Sequence, residues 1–234
     1  MLALAVVAGV SWTAVVVHGA DRAPGAAGWR LPEASEGRPA ESGGAGLGGL
    51  LLPYGEHRYR PGPDLNEFGS DIELTGAQTA ALRKRSLARL PRSQRLAMER
   101  QIDRQPVKGM ALRSYVGPAG ASAGSDAEEF TVQITLARVA DRRTAHSLAA
   151  AQRLLLGSAE TVREGPAIKG HEGAACFLPP KDVVEGLDAM LCVGSVGDVV
   201  LTASATGTEA LDRQEVADMV TAQFDRIKDP GKAV

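Results

Sequence analysis

Cysteine is scarce in this 234-residue sequence. Two residues are too few for a disulfide-rich miniprotein or a four-thiolate zinc site. Charge of one sign is lacking too: 26 Lys+Arg against 28 Asp+Glu leave a net charge of -2. That balance disfavours a strongly basic nucleic-acid binder, and no nucleic-acid partner is expected. Glycine shows no period of three and the hydrophobic fraction is an ordinary 44%, so the chain is neither collagenous nor wholly disordered. Aromatic residues make up 4%, and Tyr54, Tyr59 and Phe68 fall close together.

The first 19 residues, MLALAVVAGVSWTAVVVHG, contain no Asp, Glu, Lys or Arg. As a helix they would span roughly 29 Å, near the hydrocarbon thickness of a bilayer. The run exceeds a typical signal core, and only weak cleavage sites follow it, before Ala20 or Gly28. The expectation is a single-pass membrane anchor over residues 1–20 with the rest of the chain outside; secretion after cleavage is the alternative. Residues 21–53 are dense in Pro, Gly, Ala, Ser and Glu and read as a disordered linker. Residues 54–74 read as an extended arm lying along a globular domain through its aromatics.

The near-neutral total hides blocks. Residues 21–74 carry a net -4, residues 75–115 a net +8, and residues 116–234 a net -6. The basic block, 75–106, is helical by pattern. Thr75-Gly-Ala-Gln78 matches a capping box, and Pro91 separates a second helix running from Ser93 to about Arg104. Arg83, Lys84, Arg85, Arg89, Arg92 and Arg95, with Arg100 and Arg104, are the candidate anion-contact surface, for lipid headgroups or wall polyanions. A solvated face that complements the acidic remainder of the chain is the competing explanation.

Residues 107–229 read as an α+β domain in the order ββαβββα, a mainly antiparallel sheet of about five strands with helices on one face. Phe130, Val132, Ile134 and Leu136 alternate with polar residues as a half-buried strand. Asp141 caps a helix with Ala145, Leu148, Ala149, Gln152, Leu155 and Leu156 on one face. A final helix begins near Asp212 and buries Val216, Met219, Val220, Phe224 and Ile227.

Cys176 and Cys192 lie on consecutive predicted strands. In an antiparallel hairpin paired positions share a constant sum of residue numbers, which centres this turn on Val184, inside a turn-rich stretch. The two thiols then face each other at disulfide distance. Alternation directs Phe177, Leu191 and Val193 toward the core and the bond toward the outer face. Two free buried thiols or a redox pair are the alternatives, although no C-x-x-C spacing is present. A structural disulfide agrees with an extracytoplasmic location.

Catalytic motifs fail on context. Gly44-Ala-Gly46-Leu-Gly48-Gly49 satisfies G-x-G-x-x-G, but no strand precedes it and Leu50-Leu51-Leu52-Pro53 follows where a helix is required. No P-loop, nucleophile elbow or H-E-x-x-H is present. The four histidines, His18, His57, His146 and His171, lack ligand spacing, so neither a metal nor a cofactor is expected. His171, beside Lys169 and Glu172, reads as a turn histidine that could bind a ligand, and Ser195 as a hairpin-end residue.

The element order, the Cys176–Cys192 hairpin and a last strand followed by an amphipathic helix resemble small extracytoplasmic domains of actinobacterial envelope proteins. The receptor-kinase ectodomains and LpqN-type lipoproteins are examples. The segments LLLPYGEHRYRPGPDLNEFGSD and GPAIKGHEGAACFLPPKD are similar to secreted proteins of filamentous actinobacteria. A kinase domain and a lipobox cysteine are both lacking, and no functional residue carries over. The resemblance implies an envelope binding or sensing module. The expected function is therefore a membrane-anchored, extracytoplasmic, non-catalytic binding or sensing domain whose ligand is a small molecule, an anionic envelope component or an envelope protein. An envelope-acting hydrolase and a structural or secretion-complex component are the rivals.

Overall fold

Alternation in Phe130-Thr-Val-Gln-Ile-Thr-Leu136 builds the middle of a sheet. Phe130, Val132, Ile134 and Leu136 are each at most 4% exposed, and the residues between them are half-buried. The computed structural model describes residues 46–55, 58–104, 107–117, 130–159, 162–180, 188–207 and 211–230. The expected anchor and the linker up to residue 45 lie outside them. Eight strands form one sheet: β1 (Arg60–Pro61), β2 (Asp71–Thr75), β3 (Gly109–Val116), β4 (Phe130–Arg138), β5 (Arg163–Glu164), β6 (Ala175–Leu178), β7 (Asp188–Val196) and β8 (Val199–Gly207). Their order is β1-β3-β4-β8-β7-β6-β5, with β2 also paired to β3, and every pairing is antiparallel. The five strands expected become eight because the extended arm and the stretch after residue 162 add short edge strands.

Among the described residues four α-helices accompany the sheet: α1 (Gly76–Ser86), α2 (Arg92–Arg104), α3 (Arg142–Gly157) and α4 (Arg213–Lys228). Register divides the sheet residues between two faces. Ile134 pairs with Ala203, which pairs with Cys192, which pairs with Cys176. These four share a face and a core cluster with Val216, Met219, Val220, Phe224 and Ile227 of α4. Val200, one residue out of phase, clusters with Val139 and Ala145 of the α3 region instead. Helices therefore cover both faces, which corrects the one-face expectation. The sequence shows why: Cys176, Phe177 and Leu178 are consecutive and all buried, as a strand sandwiched between two helices requires.

The disulfide forms as the hairpin register foretells, with Cys176 directly opposite Cys192 and Cα atoms 4.0 Å apart. Its face is the reverse of the one expected. Both half-cystines are at most 3% exposed and belong to the α4-side core. Phe177 and Val193, one residue out of phase with the half-cystines and so on the other face, are also buried. When both faces are apolar, alternation identifies which residues share a face without saying which face lies outside.

The segment read as linker up to Pro53 enters this core before it ends. Leu47, Leu51 and Leu52 are each at most 2% exposed and flank a short 3-10 turn, Gly48–Leu50. Helix α4 grips their backbone. Gln223, fully buried, donates through Nε2 to the Leu50 carbonyl at 2.7 Å and accepts the Leu52 N–H at 3.0 Å. Arg226 donates to the Gly49 carbonyl at 3.3 Å. These bonds satisfy main-chain groups of a buried segment that has no strand partner. The glycines that imitate a phosphate loop cradle the protein's own anion: the Glu73 carboxylate accepts the N–H groups of Leu47 and Gly48, each at 2.9 Å. A Cβ at Gly46 would press into that carboxylate.

Capping residues act where the sequence places them. Thr75 and Gln78 form the reciprocal capping box of α1. Asp141 accepts the Thr144 N–H at 2.8 Å, and Asp212 accepts the Gln214 and Glu215 N–H groups. Helix α3 approaches the sheet through Ala145 and Ala149, small enough for close contact. At about 100° per residue Leu156 returns to that stripe, Leu155 falls about 80° away and Leu154 points opposite. Leu154 and Leu155 are accordingly 75% and 73% exposed, a correction for Leu155.

Candidate functional site

The basic candidates occupy a helical hairpin outside the main core. Among its described residues only Thr79 of α1 and Ile102 of α2 are buried within helices. Arg83, Lys84 and Arg85 fill the last turn of α1, where cations complement the helix dipole. The structure then divides the set. Lys84 pairs with Asp103 across the hairpin at 2.6 Å, Arg85 with Glu67 at 3.4 Å, and Arg95 with Glu99 one turn on at 3.7 Å. Arg83, Arg89 and Arg92 have no ion-pair partner among the described residues. Leu96 and Met98 of α2 are 44% and 48% exposed. Leu96 lies one turn from both Arg92 and Arg100, so an apolar side chain is bracketed by cations on one helix surface.

A second polar constellation is internal. Arg113 of β3, only 5% exposed, donates to the Leu52 carbonyl at 2.9 Å and to Asp71 at 2.6 Å, and it lies over the Tyr54 ring. Tyr115 donates to the same Leu52 carbonyl at 2.8 Å, and its ring meets Tyr54 and Tyr59 edge-on. Tyr59 donates to Glu215 at 3.2 Å. Burial, above all, pushes all three phenols above their ordinary range, with Glu215 adding to the effect on Tyr59. Desolvation acts to lower the pKa of Arg113, but the Asp71 hydrogen bond and the charges of Tyr115, Asp71 and Tyr54 together outweigh it and raise that pKa. These contacts tie Leu52, Tyr54 and Asp71 to β3. Within the segment read as an arm, Tyr54 and Tyr59 lie against Tyr115 of β3.

Residues that looked unremarkable singly come together at the opposite end of the long strands. His146 of α3, His171 of the loop before β6 and Ser195 of the β7–β8 hairpin line one cavity of about 380 Å3, with Arg142, Val196, Gly197 and Lys228. His171 is held between Asp225, 2.9 Å from its Nε2, and the Phe224 ring, stacked at 5.0 Å. Arg142 and His146 stand four residues apart on α3, a spacing visible in the sequence. Lys228 joins them only through the packing of α4, which no local pattern reveals.

Among the described residues no group of three His, Cys, Asp or Glu could hold a metal ion. No helix among them is long and apolar enough to cross a membrane. No protein-family model matches the chain, and no curated protein matches it. Among solved structures the chain is similar to the extracellular domain of PknH from Mycobacterium tuberculosis. The identity is 12% and the TM-score 0.43, over 76% of this chain and 94% of that one.

Proposed function

We propose that this chain is an extracytoplasmic, non-catalytic binding domain that rests on an anionic envelope surface through the α1–α2 hairpin. The observation that carries the reading is the division of the basic residues: Arg83, Arg89, Arg92, Arg100 and Arg104 have no acidic partner among the described residues, on a hairpin the core scarcely uses, beside an exposed leucine. A helix that buries one residue contributes little to folding, which frees its surface for a partner. The buried disulfide suits an oxidising compartment. A membrane span at residues 1–19 would raise the local concentration of the hairpin at the lipid surface, so that weak contacts suffice.

Each arginine near an anionic bilayer is worth about 1 kcal/mol, roughly a fivefold change in binding. The test is cosedimentation of the chain with vesicles containing phosphatidylglycerol or only phosphatidylcholine. The triple variant Arg83→Ala, Arg89→Ala, Arg92→Ala is expected to lose roughly a hundredfold in affinity for the anionic vesicles while keeping its thermal transition. Equal binding by both proteins, or equal binding to both vesicle types, would sink the proposal.

A further inference from the structure

The cavity between the β7–β8 hairpin tip, the first turns of α3 and the last turn of α4 has a chemistry that no role in folding explains. Its lining contains two permanent cations, Arg142 and Lys228, two imidazoles, His146 and His171, and the Ser195 hydroxyl. Neither Arg142 nor Lys228 has an acidic partner among the described residues. Asp225, the carboxylate close by, is engaged with His171, and Asp198 in the adjoining turn lies 3.7 Å from Arg138. Fixed positive charge therefore faces open space from two separate helices. An unrelieved convergence of that kind costs the fold energy and is relieved by an anion.

The framework is rigid where a ligand would need it. His171 is clamped between Asp225 and Phe224, its side chain only 12% exposed. The hairpin tip turns at Gly197, whose φ of 58° glycine adopts without strain. Lys228 and Arg142 approach from helices on opposite faces of the sheet, so donors surround the cavity. A group with three terminal oxygens and up to two charges matches this ring of donors better than a planar, singly charged carboxylate. The volume exceeds what a bare inorganic anion fills and lies at the lower end of small-molecule sites.

We propose that this cavity binds a phosphomonoester of a small polar molecule, the phosphoryl group resting among Arg142, His146, Ser195 and Lys228 and the polar remainder filling the space toward His171. The site works independently of the α1–α2 hairpin and of any membrane contact.

The test titrates the full chain with glucose 6-phosphate, inorganic phosphate and glucose, following the backbone amide resonances of Ser195, Val196 and Gly197. Glucose 6-phosphate is expected to shift all three and to bind at least about tenfold more tightly than inorganic phosphate, a difference of about 1.4 kcal/mol. Glucose alone leaves them in place. The double variant Arg142→Ala, Lys228→Ala is expected to lose the response, whereas the hairpin triple variant keeps it. Arg142, Lys228, Arg89 and Arg92 are exposed and Arg83 is half-buried, none of them in the core, so the spectra of both variants should otherwise match the parent. Equal affinity for phosphate and glucose 6-phosphate would overturn the small-molecule assignment. Shifts that persist in the double variant, or no shifts in the parent, would overturn the site altogether.

Discussion

Helix α4 and helix α2 are amphipathic segments of similar length that serve opposite ends. Seven of the sixteen residues of α4 are buried, against one of the thirteen in α2. The first closes one face of the sheet and grips the N-terminal segment through Gln223. The second spends its surface on arginines and an exposed leucine. On the proposed function, stability and recognition fall to different helices, so substitutions should separate them.

The largest expected effect is at the centre of α4. Phe224 is 1% exposed, and a Cβ at Gly194 would lie 2.7 Å from its ring. Phe224→Ala should cost about 3–5 kcal/mol in denaturant unfolding and release His171 from its stacking partner. Next is the disulfide, which closes a 16-residue separation. Its loss in the Cys176→Ala, Cys192→Ala pair should cost about 3 kcal/mol by loop entropy, and reductant should not reach the buried bond in the folded chain. Gln223→Ala leaves the Leu50 carbonyl and the Leu52 N–H unpaired in the core. A loss of about 2 kcal/mol is expected, with protease cleavage appearing first near residues 50–52. If the hairpin triple variant lowers stability as much as any of these, the division of labour fails; its expected effect is within about 0.5 kcal/mol.

Alkali supplies a test of the arm by another route. All three tyrosines of the chain, Tyr54, Tyr59 and Tyr115, have phenol pKa values raised by folding. The native state therefore holds protons that the unfolded state releases above about pH 10. Their contribution is complete below that pH and is lost as pH rises through the folded values. Tyrosinate absorbance at 295 nm should accordingly appear together with unfolding rather than before it. A separate, earlier ionisation would mean that the arm detaches on its own.

Local chemistry was the legible part of this fold. The Thr75, Asp141 and Asp212 caps and the Cys176–Cys192 register each depend on residues near in sequence or on arithmetic along a hairpin. The five apolar residues assigned to the core face of α4 are all buried. Legibility stopped where a residue answers to something distant. Gln223 reads as polar, yet it is buried because the backbone of Leu50 and Leu52, over 170 residues earlier, needs partners. Leu47, Leu51 and Leu52 sit in a glycine-dense stretch whose composition suggests a linker, although three leucines suffice to bury it. The cavity of His146, His171 and Ser195 is invisible in sequence because three separate segments contribute its lining. Arg95 and Glu99 can be paired from their spacing, whereas Lys84–Asp103 and Arg85–Glu67 join residues 18 or more apart and appear only in the fold.

The clasp between Gln223 and the Leu50–Leu52 backbone also sets an order of events. A chain made from its N-terminus exposes Leu47, Leu51 and Leu52 long before α4 exists. The sheet can assemble from hairpins of short separation, β3–β4 and β7–β8, while the first leucines wait. Contacts of such separation carry the largest loop-closure entropy and form late. The earliest residues of the domain are therefore among the last to find their place, and a chain halted before Gln223 would present an unsealed apolar end, a natural foothold for a chaperone or a protease.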